Sequence, residues 1–171
     1  MKTLYLLRHA KSSWADSSLA DLERPLNKRG QRDALFMSKR LADQKIKIDA
    51  IWTSPAQRTV ETALHLARAM QVPRQEIRLR EHLYPGTTGD LLLEIRSCPD
   101  KIKNLLVIGH NPAITDLVNL LSNHESATEI ESLPTCGIVA FEFSCSTWQK
   151  IKRREGRILF FDYPKKGKAP V

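Results

Sequence analysis

The stretch LYLLRHAK, residues 4–11, joins an uninterrupted apolar run to an arginine and a histidine. A run this short, without glycine or proline, is typical of a strand that is covered on both faces, so Thr3 to Leu7 is predicted as a buried strand. Such a strand delivers Arg8 and His9 at its carboxyl end. In open α/β sheets ligands bind in the crevice outside that end, so this pair is the first candidate for a functional site.

Length and composition restrict the class of protein. A chain of 171 residues is predicted to form a single domain, over residues 1–164, with a basic C-terminal tail at 165–171. The first apolar run is too short for a signal peptide or a membrane span. The 3 cysteines lack CxxC or metal-like spacing, which indicates reduced packing residues rather than disulfides or a zinc site. We therefore expect a cytoplasmic protein without membrane association.

The formal net charge of +8 predicts attraction to an anionic partner. Phosphate esters, phosphoproteins, nucleic acid and membrane surfaces all satisfy this charge. The basic run Lys150 to Arg154 is interpreted as a solvated hairpin, since no interleaved aromatic residues support binding of single-stranded nucleic acid. No nucleic acid partner is expected.

Strands and helices alternate along most of the chain. After the first strand, the pattern predicts a loop at 11–24, a helix opened by Pro25 and Asn27, a strand at 47–52, a helix from residue 54, a short strand at 77–79, a loop at 81–89, a helix at 90–96, a strand at 105–108, a helix at 111–121, and strands at 138–143 and 157–163. This alternation predicts an α/β three-layer sandwich, with a mostly parallel central sheet and helices on both faces. The carboxyl ends of its parallel strands share one edge.

Two helices are predicted to begin at a capping residue followed by proline. Ser54-Pro55 and Asn111-Pro112 each offer an N-cap side chain and a proline at the first helical position. This places Arg58 in a first turn, beside unpaired backbone N–H groups, and His110 at the exit of a strand. The predicted apolar stripe after Arg58 consists of Val60, Ala63, Leu64 and Ala67.

Arginines, histidines and helix N-termini at one sheet edge suit a dianionic phosphoryl group. A neutral imidazole is a competent nucleophile that forms a covalent intermediate, and a second, protonated imidazole can supply charge to the transition state. These cations could replace Mg²⁺, so no metal or cofactor is expected. Other phosphoryl-transfer and protease motifs are missing from the sequence: no cysteine is followed six positions later by arginine, and there is no P-loop, Asp-x-Asp pair or His-Glu-x-x-His helix.

Three segments resemble the motifs of the histidine phosphatase superfamily, which has the phosphoglycerate mutase-like fold. LRHA at 7–10 is similar to its Arg-His-Gly signature, TSPAQRTVET at 53–62 to its second motif, and VIGHN at 107–111 to its third. The resemblance implies that His9 is the phosphorylated nucleophile and that Arg8, Arg58 and His110 hold the phosphoryl group.

Within that superfamily the chain looks most like the SixA-type phosphohistidine phosphatases. The features that carry this resemblance are the small size, RHAKS at 8–12, DLERPL at 21–26 and GHNP at 109–112. The chain has no room for the lid segments of the mutase relatives, and an open site suits a phosphoryl group presented by another protein. By analogy Arg24 also reaches the phosphate, and Trp14 packs either over the loop beside the site or in the core.

The general acid is assigned to Glu81, after the third strand, with the adjacent His82 as the alternative. Imidazole, with a conjugate-acid pKa of about 6.5, leaves far more easily than an alkoxide, so a weak acid would favour phosphohistidine. The predicted function is a metal-independent phosphatase acting on phosphohistidine in a protein, expected to be a monomer. The alternatives are a phosphatase for small phosphate esters and a non-catalytic module that binds phosphoryl groups.

Overall fold

A computed structural model describes residues 1–123 and 129–166. The main elements in these ranges are β1 (Lys2–Arg8), α1 (Lys28–Asp43), β2 (Ala50–Thr53), α2 (Gln57–Ala69), β3 (Ile77–Leu79), α3 (Thr88–Arg96), β4 (Asn104–Gly109), α4 (Ala113–Leu121), β5 (Ile138–Phe143) and β6 (Arg157–Asp162). The two predicted loops contain short 3₁₀ helices at Asp21–Glu23 and Glu81–Leu83. From residue 167 onward, the predicted tail at 165–171 lies outside the described residues.

One sheet joins all six strands in the order β3-β2-β4-β1-β5-β6. The strands β3, β2, β4 and β1 are parallel to one another, whereas β5 is antiparallel to both β1 and β6. Five strands therefore run in one direction, which confirms the predicted mostly parallel sheet.

Two apolar layers cover the sheet because its strands alternate their side chains between the faces. In β1, Leu4 and Leu6 enter the core beneath α3 and α4, while Tyr5 and Leu7 enter the core beneath α1 and α2. The strand residues are buried on both faces, as the uninterrupted apolar runs predict. The predicted three-layer sandwich is confirmed.

The register of the central strands brings the functional motifs to one edge. Arg8 pairs with Gly109, and Thr53 pairs with Ile108, so the residues that follow them emerge side by side. The backbone N–H of His9 donates to the Gly109 carbonyl (3.2 Å), and that of Ser54 donates to the Ile108 carbonyl (3.3 Å). His9, Ser54 and His110 thus leave three adjacent strands at the same edge.

The predicted starts of two helices are wrong, by two residues for α2 and by one residue for α4. α2 begins at Gln57 with Ala56 as its N-cap, and α4 begins at Ala113 with Pro112 as its N-cap. Ser54 and Asn111 are not caps because their side chains bind other elements, as described below. The apolar stripe of α2 is also different: Ala63 and Ala67 are buried, but Leu66 takes the place of Leu64, which is 46% exposed.

Within residues 1–123 and 129–166, no helix is both long and apolar enough to pass through a membrane.

Candidate active site

A cavity of about 540 Å³ opens at the carboxyl edge of the sheet. Five of the residues predicted to act on a phosphoryl group line it together: Arg8, His9, Arg24, Arg58 and His110. The imidazole centroids of His9 and His110 are 5.0 Å apart. The two histidines come from motifs about a hundred residues apart in the chain and share one cavity because β1 and β4 are neighbours in the sheet.

The His9 side chain is fixed in one tautomer. Its Nδ1 lies 2.7 Å from the carbonyl oxygen of Ala10. A carbonyl can only accept, so Nδ1 carries the proton and the lone pair is on Nε2. Burial, together with the positive charges of Arg58, Arg8 and Arg24 and against the opposing effect of the Ala10 bond, lowers the pKa of His9 to about 4. His9 is therefore a neutral imidazole with a nucleophilic Nε2.

His110 has the opposite tautomer. Its Nδ1 lies 3.4 Å from a guanidinium nitrogen of Arg58, which can only donate, so the proton is on Nε2 and goes to the Ser54 hydroxyl at 2.7 Å. Burial, followed by the repulsion that a proton on His9 would exert and by the charge of Arg58, lowers the pKa of His110 to about 3. His110 is neutral in the unliganded site, whereas the sequence interpretation used a protonated second histidine. A bound dianion would raise its pKa, since a nearby opposite charge favours the charged form.

Ser54 connects His110 to the start of α2. Its Oγ accepts from His110 and from the Ala56 backbone N–H, at 3.3 Å, and lies 2.9 Å from the hydroxyl of Thr59. Thr59 in turn donates to backbone carbonyls of this same turn, so the Ser54 proton is directed to the Thr59 oxygen. These contacts use the full hydrogen-bonding capacity of the Ser54 hydroxyl and hold the His110 ring in place.

Asp21 joins two of the arginines. Its carboxylate accepts from Arg58 and from Arg24, both at 2.8 Å, and from the phenol of Tyr84 at 2.6 Å. The Tyr84 bond, followed by those from Arg58 and Arg24, holds the pKa of Asp21 well below its ordinary value. Bonding to Asp21 in turn raises the pKa of Tyr84. Asp21 is thus an ionised counter-charge inside a cationic cavity.

The arginines differ in how they are held. Arg58 and Arg24 are 5% and 6% exposed, and each makes further bonds to backbone or hydroxyl oxygens. Arg8 donates from one terminal nitrogen to the Leu133 carbonyl at 2.9 Å. Its Nε is buried and has no hydrogen-bond partner among the described residues. All three guanidinium groups retain N–H donors that are not used by these contacts.

The Asn111 side chain, which was predicted to cap α4, binds a different segment. Its side-chain amide donates to the Ser132 hydroxyl and the Leu133 carbonyl, at 3.0 and 3.1 Å, and its Oδ1 accepts from Thr115. Asn111 therefore attaches the start of α4 to the segment that also binds Arg8.

Glu81 and His82 are not brought together with the other candidates. Glu81 is exposed at the start of its 3₁₀ helix and does not line the cavity. His82 is also exposed and bonds through Nδ1 to Glu94 at 2.7 Å. The role of Glu81 as general acid stays a prediction. Sequence reasoning missed Asp21, Tyr84 and the role of Ser54, because the Asp21 and Tyr84 side chains meet from loops 63 positions apart, with no local pattern linking them.

No group of three or more His, Cys, Asp and Glu side chains arranged to hold a metal ion is present in the described parts of the chain.

Comparison with known proteins identifies the family. The model of the histidine phosphatase superfamily (branch 1) matches residues 4–104. The uncharacterized protein Rv1276c of Mycobacterium tuberculosis (strain ATCC 25618 / H37Rv) is 29% identical over 165 residues, which cover 93% of this chain and 100% of the relative. The match thus extends over nearly the whole chain.

Solved structures show the same fold. A protein from Agrobacterium tumefaciens that is designated SixA superposes with a TM-score of 0.81 at 24% identity, covering 95% of this chain and 98% of that one. The protein histidine phosphatase SixA complexed with tungstate superposes with a TM-score of 0.78 at 20% identity, covering 95% and 97%. At these identities the likeness establishes the shared fold.

Proposed function

This chain belongs to the histidine phosphatase superfamily, and we propose that it is a metal-independent phosphatase that removes the phosphoryl group from phosphohistidine in a protein. The single observation that carries the proposal is the bond from His9 Nδ1 to the Ala10 carbonyl at 2.7 Å, in a cavity that three arginines line. This bond leaves a neutral Nε2 lone pair among fixed positive charges, as in-line attack on phosphorus requires.

In the first step, His9 Nε2 attacks the phosphorus atom of the substrate. A P–N bond to His9 forms while the P–N bond to the substrate imidazole breaks. The substrate ring carries a proton on its other nitrogen, so the bonding electron pair stays on the departing nitrogen and the ring leaves as neutral imidazole. Arg8, Arg24 and Arg58 stabilise the charge that spreads over the equatorial oxygens. The phosphoryl group is then held covalently on His9.

In the second step, water attacks the phosphorus atom of the phosphorylated His9. The P–N bond breaks, its electron pair returns to Nε2, and inorganic phosphate leaves with the new oxygen and both protons of the water. His110 lies beside His9, and the incoming dianion raises its pKa, so His110 can donate a hydrogen bond or a proton to a phosphoryl oxygen. The site returns to its starting state without a metal ion.

The ionisation of the cavity favours phosphohistidine over alkyl esters. The Asp21 carboxyl lines the cavity, but its lowered pKa keeps it ionised, so it has no proton to give to a departing alkoxide. An imidazole leaving group needs such a proton far less, because its conjugate acid has a pKa of about 6.5. The fold shared with the tungstate-bound protein histidine phosphatase is consistent with this preference.

The proposal is tested by incubating the protein with a phosphohistidine-carrying protein, an aryl phosphate and a sugar phosphate, each with excess chelator. We expect the protein to hydrolyse phosphohistidine and the aryl phosphate in the presence of chelator, with the highest kcat/KM for phosphohistidine. Turnover that disappears with chelator would contradict the metal-independent mechanism. A preference for the sugar phosphate would indicate a phosphatase for small esters, and inertness toward all three would indicate a binding module.

A separate variant tests the predicted general acid. If Glu81 protonates the leaving group, Glu81→Gln lowers turnover of the sugar phosphate more than turnover of phosphohistidine. A change within about twofold on both substrates would remove Glu81 from the mechanism.

A further inference from the structure

Trp14 is an exposed tryptophan at the mouth of the catalytic cavity. It is 75% exposed, yet it lines the same cavity as His9 and His110. A tryptophan is mostly buried in an ordinary fold, and its exposure forfeits a large favourable transfer free energy. An aromatic ring kept in water beside a reactive site indicates a contact that is made only when substrate is present.

The ring is held in place without being buried. The Cζ atom of Arg24 lies 3.2 Å from the centre of the Trp14 ring. Arg24 is itself fixed by bonds to the Ser13 carbonyl, the Ser12 hydroxyl and the Asp21 carboxylate. The loop that carries Trp14 is tied down by the Ser13 N–H, which donates to the Pro25 carbonyl at 2.7 Å. A ring oriented in advance loses little conformational entropy when it binds.

The opposite face of the ring is open. One face lies against the guanidinium group, so an exposed fraction of 75% must include the second face. An indole face is suited to stack on another planar ring. The indole face provides no hydrogen-bonding group that would select the hydroxyls of a sugar, and an alkyl group has no planar ring to stack on it.

The geometry of phosphoryl transfer brings the leaving group to this rim. The attacking and leaving atoms are roughly in line on either side of phosphorus. His9 is 9% exposed and Trp14 is 75% exposed in the same cavity, so we expect a group that leaves opposite His9 to extend outward, toward the rim to which Trp14 belongs.

We propose that Trp14 is a specificity-determining residue that stacks on planar leaving groups, the imidazole of phosphohistidine above all, and so selects them over alkyl leaving groups. This inference rests on the proposed phosphatase function and assigns the preference to one side chain. An aromatic pair contributes about 0.5 to 1.5 kcal/mol beyond area burial. The corresponding discrimination is about twofold to tenfold in kcat/KM.

The test compares Trp14→Ala and Trp14→Phe with the wild-type protein on phosphohistidine, an aryl phosphate and phosphoserine. Trp14→Ala should lower kcat/KM by about twofold to tenfold on the two planar substrates and by less than this on phosphoserine, and Trp14→Phe should keep most of the activity. Leu22→Ala is the matched control, because Leu22 is 40% exposed on the neighbouring 3₁₀ helix but does not line the cavity. It should change none of the three.

An equal loss of kcat/KM on all three substrates would overturn the proposal. Weaker binding of inorganic phosphate by Trp14→Ala would strengthen that conclusion. That result would mean that Trp14 acts by holding Arg24.

A binding measurement separates this inference from the proposed function. Calorimetry with phenylphosphonate and methylphosphonate needs no turnover, so it gives an answer even if the wild-type protein hydrolyses nothing. Tighter binding of phenylphosphonate that Trp14→Ala abolishes would support the stacking role, and equal affinities of the wild-type protein for both probes would refute it. Inert wild-type protein would refute only the phosphatase function.

Discussion

His9 and His110 differ in which ring nitrogen carries the proton. His9 donates from Nδ1 to a backbone carbonyl, whereas His110 donates from Nε2 to the Ser54 hydroxyl. The remaining lone pair is therefore on Nε2 in His9 and on Nδ1 in His110. The Nδ1 lone pair of His110 faces Arg58, which also donates to Asp21. This difference makes His9, and not His110, the better nucleophile.

Replacing Ser54 should impair catalysis while the protein stays folded. Ser54→Ala removes the acceptor for His110 Nε2, so the ring can rotate and adopt the other tautomer. We expect kcat to fall about twofold to tenfold, from a hydrogen bond worth about 0.5 to 1.5 kcal/mol, with little change in KM. Steady-state kinetics on an aryl phosphate measure this.

The matched control is Ser38→Ala, which removes a buried serine hydroxyl that bonds to the Ala34 carbonyl inside α1. It should leave kcat unchanged. A kcat for Ser54→Ala equal to that of the control variant would show that Ser54 does not position His110.

At the scale of elements, α1 is pressed against the loop that leaves the His9 site. A Cβ atom added at Gly30 would lie 2.1 Å from the carbonyl oxygen of Lys11. The backbone N–H of Asn27, the N-cap of α1, donates to that same carbonyl at 3.0 Å. Only glycine permits this approach, and the approach fixes the path of the loop toward Trp14.

Gly30→Ala should therefore damage both stability and catalysis. Overpacking against a backbone carbonyl costs about 1 to 3 kcal/mol of unfolding free energy, and the displaced loop should also lower kcat/KM. Gly89→Ala in α3 is the control, since the nearest atom to its added Cβ is 3.6 Å away. Alanine there should be neutral or stabilising by up to about 1 kcal/mol. Equal unfolding free energies for the two variants in urea would contradict this account of Gly30.

The elements that the sequence predicts correctly are those whose residue pattern has only one structural explanation. The apolar runs of β1 and β4 are long enough for burial on both faces, and their order with the helices leads to the observed sheet. The helix starts were predicted wrongly because a Ser or Asn side chain can bond either to a local N–H or to a distant partner. Ser54 bonds to His110, and Thr62 turns inward to accept from the Ala10 N–H at 3.1 Å. Such tertiary contacts leave no trace in the local pattern.

In the candidate site, too, the sequence predicts the residues that belong to local patterns and misses the contacts between distant loops. Four residues that are predicted to act on the phosphoryl group occupy recognisable positions after strands or in a first helical turn, and the structure brings them together in one cavity: Arg8, His9, Arg58 and His110. The Asp21 and Tyr84 contact depends on two loops whose paths no periodicity determines. Glu81 was assigned by position alone, and its loop does not direct it to the cavity.

At the scale of the whole molecule, the neutral histidines couple the site to folding stability. The pKa values of His9 and His110 are lowered from the ordinary 6.5 to about 4 and about 3. Between pH 6.5 and about 4, the unfolded chain binds protons that the folded protein does not bind. Stability therefore falls as the pH is lowered through this window. Asp21, whose pKa is lowered, adds to acid sensitivity only below its ordinary value of 3.8.

The unfolding free energy should decrease between pH 6.5 and 4, by up to about 1.4 kcal/mol per pH unit for each of the two histidines. Urea titrations at half-unit intervals measure this. The double variant His9→Asn/His110→Asn lacks both titrating groups, so its stability should vary much less over the same range. A pH dependence in the double variant as steep as in the wild type would show that other groups cause the acid sensitivity.

The central claim is that the His9 imidazole accepts the phosphoryl group, and trapping the covalent intermediate tests it most directly. The protein is mixed with a radiolabelled phosphohistidine protein, quenched in alkali within a single turnover and digested for peptide mapping. The account predicts an acid-labile phosphoryl label on the peptide that contains His9, and no label in His9→Asn. Label on His110, or undiminished turnover by the His9→Asn variant, would contradict it.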